Sequence, residues 1–375
     1  MGDRMDRFHC IILIVLSIFL VLGQTIAADT PNDMLINKTD KSLTLIDEAG
    51  RTVTVSIPVK RIISVDYTEM EALLALGAKD MIIGVDAEFH KAFPFFGLKE
   101  VPEIGIHGGE LNYEQLVLLN SDIIILPFWK RDLALSIEKS LPNATVVVMG
   151  LNYRDKIVPE LRIMGQLLGK ESEAEKLIDW IKKYDGIVEE RTKDLSADEM
   201  PTFYYEYMSD LDSKWQAIIP SQQYGGRVAE GCGGRNIASD INTNNTVFGI
   251  GSEVTVDPEW ILKFNPDFIF LDFMDSKFAG AGRTEDDVKD KITKIIEGRA
   301  DDGFGNFTAV RNNHISAIQQ DYVCGPRWII GHICFAKWLH PDLFNDLSVD
   351  QMNKEYFKEF HGMEVEGTWV YPVPQ

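Results

Sequence analysis

Four short apolar runs constrain this chain more than any other feature: RIISVD (61–66), IIGVD (82–86), DIIILPF (122–128) and TVVVMG (145–150). Each has strand length and lacks the polar alternation of a half-solvated strand, so each reads as buried on both faces. Helical segments lie between them. Thr68 with Glu71 reads as a capping box opening a helix through Leu73, Leu74 and Leu76 to Gly77, and NYEQLVLLN (112–120) reads as another. Buried strands alternating with helices require a parallel sheet covered on both sides, which makes this region an α/β lobe. Ahead of it, residues 43–57 alternate apolar and polar around a turn at Asp47 to Gly50, the pattern of a β-hairpin.

Ser172 and Glu175 read as a second capping box, after which Ala174, Leu177, Ile178, Ile181, Tyr184 and Val188 recur at helical spacing to about Leu195. Such a helix is roughly 37 Å long, enough to join two lobes. Beyond Pro201 the α/β style returns with TFYYEYM (202–208), a helix after Asp257-Pro258-Glu259, DFIFLDF (267–273), HISAIQQ (314–320) and a helix from Pro326 to Leu339. EQLVLLNSDIIILPF (114–128) laid over EWILKFNPDFIFLDF (259–273) matches Glu, Asn, Asp, Ile, Leu and Phe, which points to an internal repeat. The expected architecture is two Rossmann-like α/β lobes, residues 43–170 and 200–346, joined by a backbone helix over 171–195, with a ligand cleft between them and a C-terminal extension over 347–375. Ligands of such sheets sit beyond the carboxyl ends of the strands.

Asp and Glu outnumber Lys and Arg by 58 to 37, a formal charge of −21, and a surface so acidic repels nucleic acid and anionic lipid. Arg4 and Arg7 precede an apolar run from Cys10 to Leu22 and the small residues Ala27 and Ala28, the order of a secretory signal. Residues 1–28 are therefore expected to be a signal peptide or an N-terminal anchor, with the rest outside the cytoplasm. Cys232, Cys324 and Cys334 follow the leader; an odd number permits one intramolecular disulfide and leaves one thiol, and their separations are not those of a zinc site. Sequons occur at Asn37, Asn143, Asn244 and Asn306.

Enzyme motifs fail one by one. Gly165 to Glu171 has neither the spacing nor the hydroxyl residue of a phosphate loop, and neither a nucleophile elbow nor an H-E-x-x-H helix is present. The histidines after the leader are dispersed. His90 stands out because EFHKAFPFF (88–96) reads as an aromatic loop after a strand end. Arg327 follows Tyr322 at the start of a helix, where a guanidinium beside an amino terminus can hold an anion; a structural carboxylate is the competing partner. Gly108-Gly109-Glu110-Leu111-Asn112-Tyr113-Glu114 and Glu230-Gly231-Cys232-Gly233-Gly234 place carboxylates near helix ends.

Taken in order, several of these pieces resemble one family. They include Arg61-Ile-Ile-Ser with Thr68-Glu69, Asn112-Tyr113-Glu114, Glu230-Gly231-Cys232-Gly233-Gly234-Arg235-Asn236, Asn265-Pro266-Asp267, Gly325-Pro326-Arg327 and Ala336-Lys337-Trp338-Leu339-His340-Pro341. The chain is similar to the helical-backbone (class III) solute-binding proteins of ABC importers for ferric siderophores, haem and cobalamin. That resemblance implies a non-enzymatic, monomeric binding protein without a cofactor, which captures an iron(III) chelate and delivers it to a membrane permease. Cobalamin or another corrinoid is the second ligand class. A surface sensor, or a metal-cofactor enzyme subunit on the same two-lobed fold, is the reading from a different class.

The resemblance also implies that Glu114 and Glu230 meet the permease, that Arg327 faces an anionic chelate, and that Cys232 pairs with Cys334, with Cys324 as competitor. Tyr322, Trp129, Lys130, Tyr67 and His90 complete the expected ligand set, with Tyr207 and Trp215 behind them; cations would neutralise the chelate and rings would pack it. A helix between lobes implies a small hinge and a largely preformed cleft. Two features depart from the family: its lipobox cysteine is not found, and the tail from Asp346 to Gln375 runs past the usual last helix, either packing back on a lobe through its aromatics or forming a separate contact surface.

Overall fold

The computed structural model describes residues 34–106, 109–209, 215–218, 225–241, 253–274 and 276–374. The expected leader, Gly108 and the sequon at Asn244 lie outside them. Strands β1 (Leu35–Lys38), β2 (Ser42–Ile46) and β3 (Thr52–Ser56) form an antiparallel sheet in that order. Alternation buries Leu43, Leu45, Val53 and Val55. At the turn, the Asp47 carboxylate accepts from the N–H groups of Ala49, Arg51 and Val148, which closes the hairpin and fastens it to the first lobe. Strand β1 is an addition to the expected hairpin.

The first lobe contains β4 (Ile62–Ser64), α1 (Tyr67–Ala75), β5 (Ile82–Gly84), α2 (Ala87–Ala92), α3 (Tyr113–Leu119), β6 (Ile123–Pro127), α4 (Ala134–Ser140), β7 (Thr145–Met149) and α5 (Arg154–Leu168). Its sheet is parallel, in the order β5-β4-β6-β7. Ile123 to Leu126 and Val146 to Met149 are almost wholly inaccessible, as continuous apolar strands demand. Helix α6 (Glu171–Thr192) leads out of this lobe, and its periodic residues Ala174, Leu177, Ile178, Ile181, Tyr184 and Val188 are all buried.

The second lobe follows as β8 (Thr202–Met208), β9 (Gln216–Ile218), α7 (Gly225–Glu230), β10 (Arg235–Asn236), β11 (Glu253–Thr255), α8 (Pro258–Phe264), β12 (Phe268–Phe273), β13 (Gly280–Ala281), α9 (Glu285–Gly298), α10 (Thr308–Arg311), β14 (Ile315–Gln319), α11 (Trp328–Leu339) and α12 (Pro341–Phe344). The chain ends in α13 (Val349–His361), β15 (Gly367–Thr368) and β16 (Val370–Tyr371). The sheet order is β11-β9-β8-β12-β14-β16, with β10 beside β8. Its centre, β8-β12-β14, is parallel; β9 and β16 join it antiparallel, and β11 pairs antiparallel with β9.

The proposed repeat is visible in the backbone. Helix α3 ends at Asn120 (φ 44°, ψ 63°) before β6, and α8 ends at Asn265 (φ 45°, ψ 64°) before β12. Asn tolerates this left-handed cap, which turns the chain sharply from helix to strand.

Three local expectations need correction. Asp66, not Thr68, caps α1: its carboxylate accepts from the Thr68 N–H at 2.9 Å, and Glu71 is drawn instead into an ion pair with Arg327. Helix α6 starts at Glu171 without a side-chain cap, and Glu175 pairs with Arg162. The segment 88–96 is not a loop: Asp86 caps helix α2 and a 3₁₀ turn follows over Pro94–Phe96. Of the two alternatives for the C-terminal extension, it packs back through its aromatics: Tyr356 and Phe357 are inaccessible, and one apolar core runs from Leu43 in the hairpin through α1, α6 and α11 to Val370.

Candidate functional site

A cleft of about 630 Å³ lies where the carboxyl ends of both sheets meet. The first lobe contributes Tyr67, Asp86, Glu88, Phe89, Lys91 and Phe93; the second contributes Ser209, Met274, Lys277, Arg283, Gln319 and Asp321. Tyr67 and Asp86 follow β4 and β5, and Ser209, Met274 and Asp321 follow β8, β12 and β14, so strand ends build both walls. The Asp86 carboxylate accepts from the Glu88 N–H at 2.7 Å, which starts α2 and brings Phe89 and Phe93 onto one helix face. Tyr67 stacks on Phe93 with centroids 5.7 Å apart, and Phe89 packs against Phe93 at 5.1 Å. This wall is aromatic.

Of the residues expected to bind ligand, only Tyr67 lines the cleft, its hydroxyl donating to Gln320 Oε1 at 3.2 Å. Tyr207 is adjacent, donating to Sδ of the lining residue Met274. Trp129 and Lys130 stand behind the first wall: the indole donates to Asp66 Oδ2 at 3.1 Å and the ammonium to the Gly109 carbonyl at 3.3 Å. Burial pushes the Lys130 pKa down, with Asp86 and Asp66 opposing. His90 turns away from the cleft, bonding Glu103 at 3.2 Å and the Leu98 carbonyl at 3.0 Å.

Three expectations fail outright. Arg327 is inaccessible; its Nε lies 2.6 Å from Glu71 Oε1, and Nη2 reaches Glu71 Oε2 at 2.9 Å and Asp321 Oδ2 at 2.5 Å. Burial works against its charge, but the two carboxylates outweigh burial and hold its pKa above the ordinary value. The structural carboxylate, the competing partner, has taken the guanidinium. Tyr322 is buried beneath Trp369 and donates to Asn353 Oδ1 at 2.5 Å. Trp215 belongs to the second lobe's core, where its ring lies 4.6 Å from the Arg299 guanidinium that pairs with Glu206.

Arg283 is the cleft cation that the sequence did not single out. It is half-buried, and among the described residues its side chain makes no hydrogen bond or ion pair, only a charge attraction to Asp287. Its one sequence signal is position, directly before the Thr284–Asp287 capping box that opens α9.

The rim carboxylates follow the repeat. Glu114 is exposed in the first turn of α3, and Glu259 occupies the same place, also exposed, in α8. Glu230, at the carboxyl end of α7, is half-buried; burial raises its pKa and it accepts from the Ser239 hydroxyl at 2.9 Å. The expected Cys232–Cys334 disulfide is not formed. Cys232, Cys324 and Cys334 are free, buried thiols, and Cys232 Sγ lies 3.0 Å from the His332 carbonyl and 3.1 Å from its Nδ1.

Two α/β lobes, a connecting helix and a cleft at the strand ends define a solute-binding protein. Residues 62–322 match the family described as periplasmic binding protein, and the chain belongs to that family. Among curated relatives it is similar to the uncharacterized ABC transporter substrate-binding lipoprotein YvrC of Bacillus subtilis (strain 168), at 24% identity over 89% of this chain and 97% of that one. It is also similar to the molybdate-binding protein MolA of Haemophilus influenzae, at 20% identity over 84% of this chain and 90% of that one. Among solved structures, the TroA-like periplasmic binding protein FepB from Veillonella parvula superposes with a TM-score of 0.70 at 21% identity, covering 87% of this chain and 98% of that one.

Proposed function

We propose that this protein is the extracytoplasmic substrate-binding component of an ABC importer, and that it captures an iron(III) chelate of siderophore type for delivery to a membrane permease. The observation that carries the ligand class is the cleft: about 630 Å³, lined from the first lobe by the rings of Tyr67, Phe89 and Phe93 and from the second by the cations Lys277 and Arg283, with Asp321 there already paired to Arg327. That volume suits a drug-sized organic ligand and far exceeds what one tetrahedral oxyanion fills. Rings and cations together suit a chelate with a flat apolar body and negative charge. The family and the relatives named as ABC transporter and molybdate-binding proteins support the importer half of this reading. Among the described residues no helix is long and apolar enough to cross a membrane, and no cluster of His, Cys, Asp and Glu is arranged to hold a bare metal ion.

Titration of the purified protein, followed by tryptophan fluorescence and calorimetry, against ferric catecholate, ferric hydroxamate, haem, cobalamin and molybdate tests the ligand. Saturable submicromolar binding of a ferric chelate is expected. Tight cobalamin or molybdate binding keeps the importer and replaces the ligand; no binding by the folded protein overturns the receptor reading.

A further inference from the structure

We propose that Arg283 is the residue of the cleft that takes an anionic group of the ligand, and that the C-terminal extension acts as its positioning element. The inference rests on the cleft being the ligand receptor. It begins with how the other lining charges are used. Lys91 is held by Glu88 at 2.7 Å, Asp321 by Arg327, and Asp86 caps α2. Lys277 stands exposed at the rim and reinforces positive charge on that side. Arg283 is half-buried in the wall with its fork of donors uncommitted among the described residues, the state in which a guanidinium gains most from a carboxylate, catecholate or phosphate group.

The backbone that carries Arg283 is fixed from the far end of the chain. β13 pairs antiparallel with β15, Gly280 opposite Thr368 and Ala281 opposite Gly367, and the Gly282 N–H donates to the Glu366 carbonyl at 2.9 Å. A side chain at Gly367 would strike the Gly280 carbonyl and approach the Ala281 Cα to 2.7 Å, so only glycine lets the strands close. After β15 the chain passes Trp369, whose carbonyl accepts from the Gln319 N–H at 2.8 Å, and β16 joins β14 at the edge of the sheet. One segment thus fastens both the Arg283 strand and the strand end bearing Gln319 and Asp321. That gives the extension a task in the cleft itself, beyond covering apolar surface.

Full-length wild type, Arg283→Ala, Arg283→Lys and Gly367→Val are compared by calorimetry against a strongly anionic ferric tris(catecholate) and a neutral ferric tris(hydroxamate), with thermal denaturation as the folding control. Losing one charge-assisted contact weakens anionic binding by roughly ten- to a hundredfold. Arg283→Ala is expected to show that loss for the catecholate, with less than about a twofold change for the hydroxamate, and Arg283→Lys to recover part of it. Gly367→Val, which keeps the guanidinium, is expected to lose catecholate affinity while the remainder of the protein still unfolds cooperatively. An equal loss for both chelates, no loss for either, or a wild type that binds only the neutral chelate overturns the assignment of Arg283 and leaves the receptor reading standing. Undiminished catecholate binding by Gly367→Val overturns the role of the extension. A wild type that binds neither chelate is a different failure, that of the chelate reading, and is seen before any substitution is made.

Discussion

At the scale of single residues, Arg327 shows how one side chain changes meaning between sequence and structure. Its motif, Gly325-Pro326-Arg327 at a helix start, is that of an anion-binding arginine, yet its charge is used to join Glu71 of the first lobe to Asp321 of the second, with the Tyr356 hydroxyl donating to Glu71 at 2.8 Å. Removing one member of a buried ionic group strands the others, at a cost of about 3–5 kcal/mol. Arg327→Met is therefore expected to lower the unfolding free energy of the ligand-free protein, measured by urea denaturation, by that much. A stable variant with weakened chelate binding would return Arg327 to the ligand set. His361 supplies a second residue-scale test. It is packed by Phe96 and Tyr356, both with centroids 5.0 Å away, and burial lowers its pKa to about 3 from an ordinary 6.5. Because the unfolded chain binds the proton first, the neutral ring's contribution is whole above about pH 6.5 and is lost as pH falls toward 3. Glu69 and Glu160, whose pKa values burial raises well above 4.5, act with the opposite sign, so a substitution is needed to isolate the histidine. Thermal scans from pH 7 to pH 4 are expected to fall less steeply for His361→Phe than for wild type; parallel curves would show that the ring titrates freely.

At the scale of elements, what the sequence made legible was what depends on pattern. The buried strands, the long helix and the helix-turn-strand repeat all follow from apolar periodicity, and each appears within a few residues of its expected limits. Two capping boxes were misread because a box is a local pattern while partners are chosen in space: Glu71 and Glu175 both found arginines. The candidate site was less legible for the same reason. Tyr67 was reachable because it follows a strand end directly. Arg283 was not, because it reaches the cleft only through a strand pair with Gly367–Thr368, far along the chain. The free thiols show the limit from the other side, since the cysteine count permitted one disulfide and the resemblance implied the pair, whereas Cys232 lies against His332 instead. The repeat makes its own prediction. Asn120 and Asn265 hold positive φ at equivalent helix ends, so replacing either by Ala is expected to cost about 1–2 kcal/mol in backbone strain; Gly is expected to be neutral or better at Asn120 but to cost stability at Asn265, whose amide donates to the Thr308 hydroxyl at 2.8 Å and accepts from the Thr308 N–H at 3.1 Å. A difference between Ala and Gly at one site but not at the other, measured in chemical denaturation, would deny them a common role.

At the scale of the whole molecule, the repeat bears on how a two-lobed carrier is read by a partner. The lobes are held by one core, by α6 and by the buried Arg327 group, so a partner meets a body of nearly fixed shape, and under the proposed importer role points that each lobe presents in the same way would serve as its footing. Glu114 and Glu259 are such points: each is exposed in the first turn of a repeated helix, next to a side-chain cap from Asn112 or Asp257. Glu230 has no such counterpart, and Ser239 already occupies part of its hydrogen-bonding capacity. Exposed carboxylates act mainly on encounter rate and register, which makes their contribution separable from ligand capture. In vesicles containing the importer, the double variant Glu114→Lys with Glu259→Lys is expected to slow chelate uptake by at least about tenfold at low salt, the single variants to fall between, and chelate affinity in solution to stay unchanged. Glu230→Lys distinguishes the two assignments, because a loss of uptake confined to that variant, with Glu259→Lys behaving as wild type, would place the second footing at the end of α7 instead of at the repeated helix.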